Sequence, residues 1–105
     1  MLDGMLKYLL SPEAEMLRKH FVIRIVPMLN PDGVIYGNYR CSLLGVDLNR
    51  NWDRPNRLLH PPVYYAKNLI KHMHQERKVL VYVDLHGHSR KKNAFFYGCS
   101  FKNYE

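Results

Sequence analysis

A stretch of roughly 30 residues without helical or strand periodicity, residues 28–60, separates two apolar runs. Turn-forming residues occur throughout this stretch, at Asn30-Pro31-Asp32-Gly33, Gly37-Asn38, Gly45, Asn49-Arg50-Asn51 and Pro55-Asn56. Irregular segments of this length are uncommon in compact domains unless they carry a function. The stretch therefore predicts a functional loop around which the regular elements are arranged.

Three segments outside this loop have helical patterns. In residues 1–10, apolar side chains recur on one helical face at Leu2, Met5, Leu6, Leu9 and Leu10. Ser11-Pro12-Glu13 predicts the start of a second helix, to about Lys19, with Ser11 as its N-cap. Pro61-Pro62 predicts a third helix, to about Arg77, whose apolar face is Val63, Ala66, Leu69, Ile70 and Met73.

Three further segments have the composition of strands. Residues 21–26 are rich in β-branched side chains, residues 79–85 are nearly all apolar, and residues 94–97 end at Gly98. The resulting order of two helices, a strand, the loop, a helix and two more strands predicts the α/β class. We expect an α/β sandwich with a mixed, largely parallel sheet.

Basic residues outnumber acidic ones by 16 to 9, which gives a formal net charge of +7. This excess predicts an acidic partner or a basic surface that serves solubility. No apolar run approaches the ~20 residues of a membrane span, so no membrane association is expected. No nucleic acid is expected as a partner either, since the sequence lacks RNP, KH and helix-turn-helix signatures.

Two groups of residues could carry chemistry. His86 follows a predicted strand, at the sheet rim where ligands bind, and Asp47 could orient a metal-bound histidine. Arg40, Asn49 and Arg50 lie in the loop and are residue types that hold carboxylates. On the residues alone, a hydrogen-bonded structural histidine and solvated loop arginines are the favoured interpretation.

Five segments in order resemble the cytosolic carboxypeptidases, the tubulin-processing branch of the zinc carboxypeptidases. They are Val26-Pro27-Met28-Leu29-Asn30-Pro31-Asp32-Gly33-Val34, Gly37-Asn38-Tyr39-Arg40-Cys41-Ser42, Asp47-Leu48-Asn49-Arg50-Asn51-Trp52, Asp84-Leu85-His86-Gly87-His88-Ser89-Arg90-Lys91-Lys92-Asn93 and Phe96-Tyr97-Gly98-Cys99. The resemblance covers residues 21–100. It implies a zinc carboxypeptidase-like fold, of which residues 1–105 form a central fragment of the catalytic domain, truncated at both ends.

The resemblance also implies a role for each candidate residue. His86 matches a zinc ligand, and Asp47 matches a residue that orients such a ligand. Arg40 matches the arginine that polarises the scissile carbonyl and stabilises the oxyanion. Asn49 and Arg50 match the pair that clamps the terminal carboxylate of the substrate. His88 and Ser89 match the pattern around the ligand and are expected to support it.

The activity implied is zinc-dependent removal of C-terminal residues, in particular glutamates, from acidic tails such as those of tubulin in the cytoplasm. One zinc ion with three protein ligands is expected. The other two ligands belong to an H-x-x-E motif that this sequence lacks, as it lacks the general-base glutamate. We therefore expect the 105-residue chain alone to be inactive and to bind zinc weakly. The alternative is a non-catalytic pseudoenzyme that binds acidic tails or microtubules.

Overall fold

The computed structural model describes residues 1–98, in which the regular structure is helical. The bounds of the helices are α1 (Leu2–Leu10), α2 (Glu15–His20), α3 (Pro31–Tyr36) and α4 (Pro61–Glu76), with 3₁₀ turns at Pro12–Ala14 and Leu48–Arg50. The last two residues of the family resemblance, Cys99 and Ser100, lie outside the described residues.

Helices α1 and α2 contact each other on either side of the 3₁₀ turn Pro12–Ala14, and both were predicted. Arg18 of α2 stabilises the link between the two helices, because its Nη1 donates to the backbone carbonyls of Leu9 at 2.5 Å and Ser11 at 2.7 Å. Ser11 occupies the predicted N-cap position, but its hydroxyl donates to the Tyr8 carbonyl at 2.7 Å and makes no cap hydrogen bond to the following turn. Pro12 at the first position fixes the turn instead.

Helix α3 lies inside the segment predicted to be irregular. Asn30 is its N-cap, since its Oδ1 accepts the Gly33 N–H at 3.1 Å, and Pro31 occupies the first helical position. Gly37 ends the helix in the left-handed conformation, with φ of 72°. The helix was missed because its six residues are too few to show an apolar period.

Helix α4 is confirmed, and it is the element against which the loop packs. Val63 on its predicted apolar face is fully buried, and the 3₁₀ turn Leu48–Arg50 contacts the helix. Leu48, at the start of that turn, is 4% exposed. The candidate site residues Asn49 and Arg50 are therefore placed by a buried neighbour and by α4.

The predicted α/β sandwich with a mixed, largely parallel sheet is wrong for the described residues. Segments 21–26, 79–85 and 94–97 form no ladder, and residues 1–98 contain only one isolated antiparallel bridge, between Cys41 and Asp47. A strand exists only when its N–H and C=O groups pair with a neighbour. Strand composition alone does not provide that neighbour, and the side chains of these segments are largely exposed, Val81 at 74%.

The described residues have a small apolar core. Its buried side chains are Ala14, Leu48 and Val63. Much apolar surface stays in contact with water, so the hydrophobic contribution to stability is small for a chain of this length. Within residues 1–98 no helix combines the length and the apolar character needed to cross a membrane.

Candidate functional site

A reverse turn brings two of the predicted site residues together. The Ser42 N–H donates to the Val46 carbonyl at 2.9 Å, and the Gly45 N–H donates to the Ser42 carbonyl at 3.0 Å. Gly45 has a φ of 72°, a conformation that glycine adopts without steric cost. The turn places Cys41 opposite Asp47, so the neighbouring Arg40 reaches Asp47 across the bridge.

Arg40 forms an ion pair with Asp47, with 3.4 Å between Nη1 and Oδ2. Its side chain is 55% exposed. The guanidinium lies over the ring of Tyr39, 5.2 Å from the centroid, and Tyr39 itself has an uncommon positive φ of 56°. Tyr39, and after it Asp47, raise the pKa of Arg40 above its usual range. Arg40 is thus a permanent cation with one side open to a ligand.

Asp47 organises the next turn of the loop. Its Oδ1 accepts the Asn49 N–H at 3.0 Å, and its backbone carbonyl accepts a hydrogen bond from the Asn51 side chain at 2.8 Å. Within residues 1–98 its carboxylate has no ion pair with a histidine. Its predicted role in orienting a zinc ligand stays a prediction, while its observed contacts hold Arg40 and Asn49.

Asn49 and Arg50 present unused hydrogen-bond donors at the surface. The indole N–H of Trp52 donates to Asn49 Oδ1 at 2.8 Å, which leaves the amide NH₂ of Asn49 free to donate. Arg50 donates one hydrogen bond, to the Asn49 carbonyl at 3.3 Å, and no carboxylate of the described residues lies within ion-pair distance of it. This arrangement suits an incoming carboxylate.

Lys67 of α4 fixes the far side of the loop. Its Nζ donates to the backbone carbonyls of Trp52 at 2.6 Å and Asp53 at 2.5 Å. This contact could not be predicted from the sequence, because a lysine on a helix is usually solvated. Trp52 was also missed as a site residue, although it belongs to one of the motifs, since nothing in its spacing showed which polar group its indole would meet.

His86 lies apart from the loop residues. Its Nδ1 is 3.5 Å from Asp84 Oδ2, and its side chain is 65% exposed. A carboxylate beside one ring nitrogen leaves the other available to a metal, which suits the predicted ligand role. A catalytic zinc site needs three protein ligands, however, and residues 1–98 bring together no group of three histidine, cysteine, aspartate or glutamate side chains. These residues alone do not fit a zinc ion.

His88 holds the backbone of the segment that follows His86 in a turn. Its Nδ1 accepts the backbone N–H groups of Arg90 at 3.1 Å and Lys91 at 2.9 Å. The Lys91 ammonium then lies over the rings of Phe95 and Tyr97, at 5.0 and 4.6 Å from their centroids. These contacts show that His88, two residues after His86, organises the local backbone, while its supporting role beside a zinc ligand stays a prediction.

An apolar groove of 480 Å³ lies between residues 26–31 and α4, with Pro62, Tyr65 and Leu69 on its helical side. None of the predicted site residues lines it. The groove is therefore separate from the predicted site residues.

Comparison with known proteins gives consistent matches along the chain. The family model described as zinc carboxypeptidase matches residues 1–104. Cytosolic carboxypeptidase 1 of Mus musculus is 57% identical over 104 residues, which are 96% of this chain and 8% of that protein. Cytosolic carboxypeptidase 2 of Danio rerio is 53% identical over 102 residues, which are 95% of this chain and 14% of that protein.

The matched segment is thus a small part of these relatives, between 8 and 14% of their length. No solved structure gives a significant match. The family model covers nearly every residue, including the loop with Arg40, Asn49 and Arg50 and the segment with His86. This chain belongs to the zinc carboxypeptidase family.

Proposed function

We propose that the protein containing this chain is a zinc-dependent metallocarboxypeptidase, and that this chain binds the terminal carboxylate of its substrate. The observation that carries the proposal is the pairing of Arg50, which has no carboxylate partner in residues 1–98, with the outward NH₂ of Asn49. A planar guanidinium holds both oxygens of a carboxylate, and an amide adds a neutral donor beside it. Selecting a free chain end requires this set of donors.

Arg40 has a different proposed task. Its partner Asp47 occupies one edge of the guanidinium at 3.4 Å, which leaves the remaining donors for a second, weaker acceptor. We assign Arg40 to the scissile carbonyl, where a fixed cation stabilises the negative charge that develops on the oxygen during hydrolysis. Asp47 holds that cation in place.

The proposed substrates are acidic protein tails that end in glutamates, with tubulin as the leading example. The net charge of +7 supports this choice, because it attracts acidic peptides to the protein as a whole. Two of the relatives are named cytosolic carboxypeptidases, which supports a cytoplasmic location.

In the proposed zinc site, His86 supplies one ligand and residues outside 1–98 supply the remaining groups. Family membership implies zinc. We propose a single zinc ion with His86 as one protein ligand, and the other two ligands and the general base come from other residues of the catalytic domain.

Recognition of the free chain end can be tested by binding. A glutamate-rich peptide with a free C-terminal carboxylate is expected to bind the chain about tenfold more tightly than the same peptide with a C-terminal amide, because only the former offers a carboxylate to Arg50 and Asn49. Calorimetric titration at one ionic strength measures both affinities. Equal affinities would show that only the net charge attracts the peptides and would contradict the proposal.

The 105-residue chain by itself is expected to release no glutamate from such a peptide, even with added zinc. The reason is that residues 1–98 form no three-ligand site. Released glutamate is measured by mass spectrometry after long incubation. Hydrolysis that a chelator abolishes would show that this segment carries a complete active site.

A non-catalytic protein that binds acidic tails is the second candidate, because the free donors of Arg50 and Asn49 would bind a carboxylate whether or not hydrolysis follows. The two candidates differ in the complete protein. Glutamate release that depends on zinc supports the enzyme, whereas carboxylate-dependent binding without any hydrolysis supports the binding protein.

A further inference from the structure

We propose that Trp52 is a positioning residue that fixes the side-chain amide of Asn49, so that Asn49 offers donors to the substrate carboxylate. The link is the 2.8 Å hydrogen bond from Trp52 Nε1 to Asn49 Oδ1. The inference rests on the proposed function, since it explains how one member of the carboxylate-binding pair acquires its orientation.

The chemistry of the two side chains determines which way the amide faces. An indole N–H can only donate, so the atom of Asn49 that meets it must be the carbonyl oxygen. The NH₂ group, with two donors, then points away from Trp52. An amide rotated by 180° would present its oxygen to the substrate carboxylate, and two acceptors repel each other. Trp52 therefore excludes the orientation that opposes binding.

Lys67 and Tyr82 hold Trp52 in place, the first at its backbone and the second at its indole ring. Lys67 of α4 donates to the carbonyls of Trp52 and Asp53 at 2.6 and 2.5 Å, which fixes the backbone. The ring of Tyr82 lies edge-on to the indole, with 5.8 Å between the centroids and 67° between the planes. The orientation of Asn49 is thus set by α4 and by the segment that contains Tyr82.

A first experiment tests the hydrogen bond without any ligand. Trp52 is the single tryptophan of the chain, so its indole N–H gives one NMR resonance of unambiguous assignment. We expect this proton to exchange with solvent several-fold more slowly in the wild-type chain than in Asn49→Ala, which lacks the acceptor. Equal exchange rates in the two proteins would overturn the proposal.

A second experiment tests the consequence for recognition. Trp52→Phe keeps an aromatic ring against Tyr82 but removes the donor. The ratio of the dissociation constant of the amidated peptide to that of the free-acid peptide is expected to fall about three- to tenfold. A variant that only lowers the folded fraction weakens the binding of both peptides equally and leaves this ratio of dissociation constants unchanged.

Tyr65→Phe is the matched control. It removes one aromatic hydroxyl of α4, which accepts the Arg57 Nε–H at 3.2 Å and has no hydrogen bond with Asn49, Arg50 or Trp52, so the ratio should stay at its wild-type value. An unchanged ratio in Trp52→Phe contradicts the role of Trp52. A wild-type ratio near one contradicts the proposed function instead, and the exchange experiment then decides on the positioning contact alone.

Discussion

Replacing Arg50 with glutamine is expected to weaken binding of a glutamate-rich peptide with a free C-terminal carboxylate by about ten- to a hundred-fold. Arg50 has no carboxylate partner in residues 1–98, so its donors are free for the ligand, and the substitution removes the two-pronged contact in full. Hydrogen bonds to charged groups contribute about 1.5–3 kcal/mol, which corresponds to this range. Calorimetric titration measures the change.

Arg54→Gln is the matched control for Arg50→Gln. It removes the same charge from the same loop, but its side chain is 93% exposed and its partner is the adjacent Asp53, at 3.7 Å. A general loss of attraction between a basic protein and an acidic peptide would affect both variants alike. If Arg54→Gln weakens binding as much as Arg50→Gln does, Arg50 does not hold the chain end.

Gly33→Ala is expected to lower the free energy of unfolding by about 2–4 kcal/mol, the largest change in stability that the structure suggests. Gly33 is buried, and a Cβ at this position would overlap the side-chain amide of Asn30 and the carbonyl oxygen of Cys41. Asn30 caps α3 and also donates to the Cys41 carbonyl at 3.1 Å. The added methyl group therefore breaks the cap and shifts the residue next to Arg40.

The control for Gly33→Ala is Gly4→Ala, in the interior of α1. No atom lies within 4 Å of a Cβ at Gly4, so this variant should gain about 0.5–1 kcal/mol from the higher helix propensity of alanine. Urea denaturation followed by the helical circular dichroism signal measures both. A midpoint for Gly33→Ala at or above that of the wild type would contradict the close packing around Asn30.

The helices α1, α2 and α4 could be predicted because their signals are local. Residues three and four apart determine an apolar face, and a proline at the first turn marks where a helix begins. Helix α3 has the same kind of start, Asn30 followed by Pro31, as the predicted helix that starts at Ser11-Pro12. It was nevertheless assigned to the loop, because turn formers such as Gly33 and Gly37 favour both a turn and the ends of a short helix.

The sheet could not be predicted correctly because a strand is not a local structure. Segments 21–26 and 79–85 have strand composition, yet a ladder requires a partner at a particular register. Within residues 1–98 neither segment finds one, and Val22 and Leu80 remain 52 and 60% exposed. β-propensity describes how a side chain fits a pleated, half-buried surface and does not create that surface.

The sequence by itself determined the family of this chain and the candidate site residues, because the family motifs name Arg40, Asn49, Arg50 and His86 by residue type and order. Only the tertiary structure decided how the loop residues face one another. Arg40 forms an ion pair with Asp47, seven positions later in the sequence. Lys67 donates a hydrogen bond to the carbonyl of Trp52, fifteen positions earlier. Such contacts depend on where separate elements pack, and no pattern of neighbouring residues encodes the direction in which an amide or a guanidinium will point.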